Sequence, residues 1–311
     1  MDYPLDQIAF EKKFATDEEC RAYLMAARWP DGFKCPRCGT TSHWRMVRGL
    51  VLCGGCRYQC SVTAGTIFHR SKLPLTVIFR ALWWIVAQKN GVSALGLQRI
   101  LGIGSFDTAW TWLHKFRRLM VVPGREKLSG VVEVDETFVG GHKAGKRGRG
   151  AQGKVLVAIA VEVRGEATGR VRLAILKNAS EKSLKHFVTA NVATESSLIT
   201  DGWSGYANAR DWGYQHAIET KKMLLDGEEA LPNVHRVAAL LKRWLLGTHQ
   251  GYVGNEQLVY YLDEFVFRHN RRRASSRGLL FQTLIKQGVR SEPVPYSKIV
   301  ANPRPRRVRS G

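Results

Sequence analysis

The clearest periodic stretch of the chain is LPNVHRVAALLKRW at 231–244. Val234, Val237, Leu241 and Trp244 recur at three- and four-residue spacing, which predicts a helix burying one stripe. Pro232 suits its first position, where a missing N–H does no harm. His235 and Lys242 lie two turns apart on another face, with only small Ala238 and Ala239 between them. A longer apolar pattern, LTVIFRALWWIVAQKN at 75–90, predicts another helix. Residues 91–120 read as two more, joined by the turn LGIGS, with Ser93 and Ser105 as N-caps.

A different period follows. VVEVDETFVGG at 131–141 alternates with β-branched residues and predicts a strand. That strand carries Glu133 and Asp135 on one face and Glu136 on the other. Segments 154–163 and 170–177 continue as strands of a meander, 179–192 as a helix opening near Ser180, and SLIT at 197–200 as a short buried strand ending at Asp201. The helix at 231 and a final one in NEQLVYYLDEFVFRHNRRR close the pattern. In a mixed sheet with the first and fourth strands side by side, Asp135 and Asp201 meet. Paired carboxylates attract hard divalent cations, and such ions suit in-line attack on a phosphodiester.

Charge narrows the partner. Lys and Arg number 48 against 26 acids, a net charge of +22. A chain this basic points to a polyanion, with double-stranded DNA first. No apolar run approaches the roughly 20 residues of a membrane span. The opening MDYPLDQIAFEKKF lacks the order of a secretory signal, so a cytoplasmic, nucleoid-associated protein without membrane contact is expected.

Cysteine spacing supplies the second chemistry. KCPRCG and LCGGCR place Cys35, Cys38, Cys53 and Cys56 as two C-x2-C pairs, the spacing of a zinc ribbon holding one structural Zn²⁺. Cys20 and Cys60 read as ordinary thiols. Trp44, Arg45, Arg48, Arg57 and Tyr58 around the knuckles either touch DNA or pack a small domain. The helix–LGIGS–helix rhythm suggests a helix-turn-helix, whose second helix carries Thr108, Thr111, His114, Lys115, Arg117 and Arg118 towards a groove. The Gly-rich basic stretch with Lys143, Lys146, Arg147 and Arg149 is a candidate phosphate contact, as are Arg243, Arg268, Arg271, Arg272 and the basic run at 304–309.

CPRC, CGGC, GTIFH, VDETFVGG, TDGWSGY, LLKRWLLGTHQG and YLDEFVFRHNRR together resemble a bacterial insertion-sequence transposase of the group with an N-terminal zinc ribbon, related to the Merlin elements. The resemblance spans about residues 10–285. It implies an α/β protein: a zinc ribbon over 1–70, a helix-turn-helix segment over 71–125 and a ribonuclease-H-like mixed-sheet catalytic domain over 126–285; a basic C-terminal tail over 286–311 follows, whose last stretch, NPRPRRVRSG, has the composition of a flexible basic arm. It also implies a D-D-E type site with two Mg²⁺ ions, and a homodimer or higher oligomer on DNA. Asp135 matches the first acid and Asp201 the second. The third position, seven residues before Lys242, is His235, where many relatives have Glu. Imidazole suits Mn²⁺ better than Mg²⁺. His235 is therefore expected as the third ligand or as a general base. Glu228, Glu229, Glu264 or a two-acid site remain alternatives, and so does a helix-capping role for His235. The functions implied are DNA cleavage and strand transfer at the element's terminal inverted repeats. The alternatives are an inactive, transposase-derived DNA-binding regulator and a nuclease that cuts without joining.

Overall fold

The computed structural model describes residues 2–301 apart from 47–48, 122–123, 141–153, 166, 221–222, 224–228 and 251–255. The chain divides into two compact units. One comprises Met1–Met120 with Ala274–Asn302, and the other is built on Val121–Arg273.

The first unit opens with α1 (Gln7–Lys13) and α2 (Asp17–Arg28). A reciprocal capping box between Thr16 and Glu19 satisfies the free N–H groups at the start of α2. A three-stranded antiparallel ribbon follows, β1 (His43–Arg45), β2 (Leu50–Cys53) and β3 (Gln59–Ser61). Then come α3 (Leu75–Ala87), α4 (Ala94–Leu101) and α5 (Phe106–Leu119). Ser93 and Ser105 cap α4 and α5 as the sequence predicts, and Gly102 at φ 61° ends α4.

The second unit is built on a five-stranded sheet. β4 (Val131–Val139), β5 (Val155–Arg164) and β6 (Ala167–Leu176) form an antiparallel meander. α6 (Glu181–Asn191), capped by Ser180, leads to β7 (Ser197–Thr200), and β8 (Gln215–Ile218) follows. The order across the sheet is β6-β5-β4-β7-β8, with β7 parallel to β4 and β8 parallel to β7. Odd positions of β5 (Val157, Ile159, Val161) pack against α7 (Pro232–His249) and α8 (Leu258–Asn270). Even positions of β4 and β5 (Val132, Val134, Ala158, Ala160) pack against α6 on the other face. This is the mixed-sheet, ribonuclease-H-like α/β arrangement that was expected, with the first and fourth strands adjacent.

The chain then returns to the first unit with α9 (Arg277–Arg290) and α10 (Tyr296–Ala301). α9 packs against α2, α3 and α5. Phe281 lies at the centre of a ring cluster with Phe10, Phe14, Tyr23, Phe79 and Trp83, at centroid distances of 5.4–6.2 Å. As a compact unit the second part runs Val121–Arg273, and Ala274–Asn302 belongs with the first. Within the tail, Val289 and Ile299 are buried, and the stretch 302–311 expected as a flexible arm lies outside the described residues. The run at 304–309 lies outside the described residues.

Candidate active site and zinc centre

The four ribbon cysteines converge. Cys35 Sγ lies 3.7 Å from Cys56 Sγ, and Cys38 Sγ lies 3.5 Å from Cys53 Sγ. All four sulfurs fall within 4.8 Å of one another. Thiolates about 2.3 Å from a tetrahedral Zn²⁺ sit about 3.8 Å apart, so the set fits that ion. Hydrogen bonding with Thr40 draws the Cys38 thiol down to about 6, which favours the thiolate a metal takes. The CGGC glycines are needed here: a Cβ on Gly54 would fall 2.4 Å from Ser42 Oγ. Cys20 and Cys60 are buried outside this cluster, and burial pushes the Cys20 thiol up to about 12. On the ribbon surface Trp44 is 51% exposed, with the Arg57 guanidinium 5.3 Å from its ring centre.

The second site lies in the other unit, where β4, β7 and α7 approach. The parallel register pairs Glu133 with Ile199. Carried two residues further along each strand, it sets Asp135 opposite Asp201. Burial raises the Asp135 carboxyl above its ordinary value, the Glu136 N–H donates to it and opposes that rise, and the Asp201 charge adds to it. Asp201, more exposed, accepts a hydrogen bond from the Trp203 N–H at 3.0 Å.

α7 supplies the third group. His235 Nε2 lies 3.5 Å from Asp135 Oδ2, and its Nδ1 is 3.0 Å from Glu229 Oε1. The imidazole therefore stands between two carboxylates. Lys242 shares that side of α7. Burial pulls its pKa down, Lys154 adds to the effect, and the Asp135 charge opposes it.

Of the alternative third acids, Glu229 supports His235 from behind, while Glu228 lies outside the described residues. Glu264 sits on α8, which packs on β6 at the far edge of the sheet. It is fully buried and ion-paired to Arg268 at 2.7 Å.

The proposed DNA contacts separate by placement. Lys143, Lys146, Arg147 and Arg149 lie outside the described residues. Arg243 is exposed on α7. Arg268 is held by Glu264, Arg271 lies 4.3 Å from the Phe267 ring centre, and Arg272 donates to the Gly169 and His269 carbonyls. Lys115 is half-buried over the Trp112 ring. Of the residues expected to face a groove from α5, Arg118 is exposed and Thr108 and Thr111 are half-buried, whereas Arg117 and His114 are core residues. Arg117 is 1% exposed and lies 3.5 Å from the equally buried His114, so it cannot reach a phosphate. α5 is a core helix, packed by α3, α4, α9 and α10.

Two partners escaped the sequence reading. Glu133, buried on β4, accepts hydrogen bonds from Asn233 Nδ2 at 2.7 Å and from the Val234 N–H at 2.8 Å. On the opposite sheet face, the buried Tyr206 hydroxyl donates to Glu136. Alternation along β4 had put Glu133 on the Asp135 face; what it lacked was the knowledge that α7 starts there.

Residues 127–270 match the model of the ISXO2-like transposase domain, and residues 15–59 match that of the transposase zinc-ribbon domain. This chain belongs to the insertion-sequence transposases. No curated protein matches it. The transposase-domain match covers β4 through α8, so every group described around Asp135 falls within it. The ribbon match takes in all four cysteines of the transposase. Among its described residues, no helix is long and apolar enough to cross a membrane.

Proposed function

We propose that the transposase binds the terminal inverted repeats of its insertion sequence and catalyses metal-dependent cleavage and strand transfer of double-stranded DNA. The observation that carries the reading is the His235 imidazole, with Nε2 turned to Asp135 and Nδ1 held by Glu229. A metal-ligating His characteristically gives its other ring nitrogen to a carboxylate, which fixes tautomer and orientation. Asp135, Asp201 and His235 thus make an oxygen–oxygen–nitrogen donor set for Mg²⁺ or Mn²⁺, two ions by the family resemblance. Ions bound there would activate the attacking oxygen and offset charge on the phosphate.

The chain's own groups do the rest. Asp135 stands on β4 and Asp201 directly follows the neighbouring strand β7, so the sheet sets where both begin. Glu229 orients His235. Lys242 places a cation on the same side, suited to a phosphate oxygen. In cleavage, water adds to phosphorus and the 3′-oxygen leaves as a 3′-OH. In transfer, that 3′-OH adds to a target phosphodiester and displaces its 3′-oxygen. The ribbon, with Trp44 and Arg57, and the basic runs at 143–149 and 304–309 hold the DNA backbone. A dimer or larger assembly joins two element ends, and association with the nucleoid follows from DNA binding.

The departure from Glu at His235 favours one second reading, a regulator that binds element ends without cutting. A single assay separates the two. Purified transposase is mixed with labelled end-containing DNA in Mg²⁺ and in Mn²⁺, alongside Asp135→Ala and His235→Ala. The catalytic reading expects cutting and joining by wild type. It also expects a loss of about 10³-fold or more in Asp135→Ala with end binding retained, since a metal supplies several kcal/mol. Binding without cleavage in either metal would establish the regulator.

A further inference from the structure

α7 begins in an unusual way. Its N-cap is Leu231, at φ 51°, and no side chain of the cap bonds the first turn. Pro232 brings no N–H, and the His235 N–H returns to the Leu231 carbonyl at 3.1 Å. The remaining link runs across to the sheet. Glu133, 4% exposed, takes the Val234 N–H on one oxygen and the Asn233 amide on the other. Glu133 stands two residues before Asp135 on the same strand face, and Val234 directly precedes His235.

We infer that Glu133 is a positioning residue, which acts through the first turn of α7 to set His235 against Asp135. The inference rests on the catalytic reading above. Packing alone does not account for a carboxylate here. The neighbouring inward positions, Ile159 and Val161, are aliphatic, and a buried carboxylate is unfavourable against an apolar residue of the same size. What a carboxylate adds is direction. It accepts two hydrogen bonds at the positive end of a helix, where the dipole favours it. Metal-binding groups must be held to about half an ångström, and a link anchored beside both of them supplies that.

The pair can be broken and repaired. Asn233→Asp sets a second carboxylate against Glu133 and breaks the link. Glu133→Gln alone is mild, because the Asn233 amide can turn and accept from Gln. In Glu133→Gln with Asn233→Asp, the Gln amide donates to the Asp while its oxygen still accepts from Val234. Mn²⁺ affinity is measured by electron paramagnetic resonance on the zinc-loaded full chain, with circular dichroism to verify folding. Asn233→Asp is expected to weaken Mn²⁺ binding by about 10–100-fold, as loss of a supporting contact does. The double exchange is expected to return it to the wild-type range. Asn233→Asp binding as tightly as wild type, or a double variant no better than Asn233→Asp, overturns the inference.

If wild type shows no Mn²⁺ site that Asp135→Ala removes, the catalytic reading fails by itself. Amide exchange at Val234 then decides the positioning link. Faster exchange in Asn233→Asp, restored in the double exchange, supports it, and equal rates in all four proteins overturn it.

Discussion

His235 meets Asp135 across the junction of α7 and β4, Nε2 to Oδ2 at 3.5 Å, while the far side of its ring bonds Glu229. The imidazole is thereby aimed at a carboxylate whose charge burial disfavours. A cation held by these two residues would relieve that carboxylate and gain a nitrogen donor.

The nitrogen donor sets a metal preference. Wild type should cut faster in Mn²⁺ than in Mg²⁺, because imidazole suits the softer ion. His235→Glu should lower the Mn²⁺-to-Mg²⁺ rate ratio while retaining cleavage. His235→Ala should lose roughly 10²-fold or more in both ions, by the cost of about 2.7 kcal/mol that such a factor represents. A ratio that stays the same in His235→Glu would take His235 out of the metal shell.

Asp135 should trade stability for chemistry. Its carboxyl is raised above the ordinary 3.8, so the folded chain binds this proton more tightly than the unfolded chain does. Stability therefore declines as pH rises from the ordinary value through the raised one, and the deficit persists at neutral pH. Metal-free Asp135→Asn is expected to melt above wild type at neutral pH, with the gap closing in acid. Added Mn²⁺ should raise the melting temperature of wild type only. Calorimetric melts check both, and an Asp135→Asn protein that melts at or below wild type at neutral pH refutes the deficit.

Cys53→Ser should empty the ribbon. Elemental analysis is expected to fall from one zinc per chain to none, and proteolysis to open the segment around 33–62. Structural zinc contributes about 10–16 kcal/mol in isolated fingers, so the loss is local unfolding rather than loosening. The melting transition of the catalytic unit should stay in place, since that unit is separately compact. Undiminished zinc would sink the four-cysteine assignment.

Two arginines that look alike in sequence should behave in opposite ways. Arg117→Ala removes a fully buried side chain and is expected to destabilise the first unit by about 2–4 kcal/mol. Arg243→Ala, at an exposed position, should leave melting within about 0.5 kcal/mol. It should also lower the slope of DNA affinity against salt by about 1. Binding titrations at several salt concentrations, beside thermal melts, test the pair.

Much of this was legible in the chain. Period-two alternation located β4, β5 and β6, and serine caps located α4, α5 and α6. The expected adjacency of the first and fourth strands is present, with β7 parallel to β4. β8 was not found, because QHAI is short, polar and mostly exposed at the sheet edge. The roles of Arg117 and Glu133 were hidden for a shared reason. Whether a charged side chain faces solvent or a buried partner depends on elements distant in sequence: α3, α9 and α10 around α5, and α7 beside β4. Periodicity tells which face a residue occupies, not what covers it.

Phe281 carries a consequence for synthesis and truncation. It is the centre of the first unit's aromatic cluster, yet it is added only after the last described residue of the second unit, Arg273, has been joined to the chain. The unit that carries the zinc ribbon begins first and is completed last. A shortened product ending near Met120 would carry the ribbon cysteines but lack the ring on which Phe10, Phe14, Phe79 and Trp83 converge. Early termination therefore yields an incomplete core, and the first unit reaches its full packing only after the second has been made.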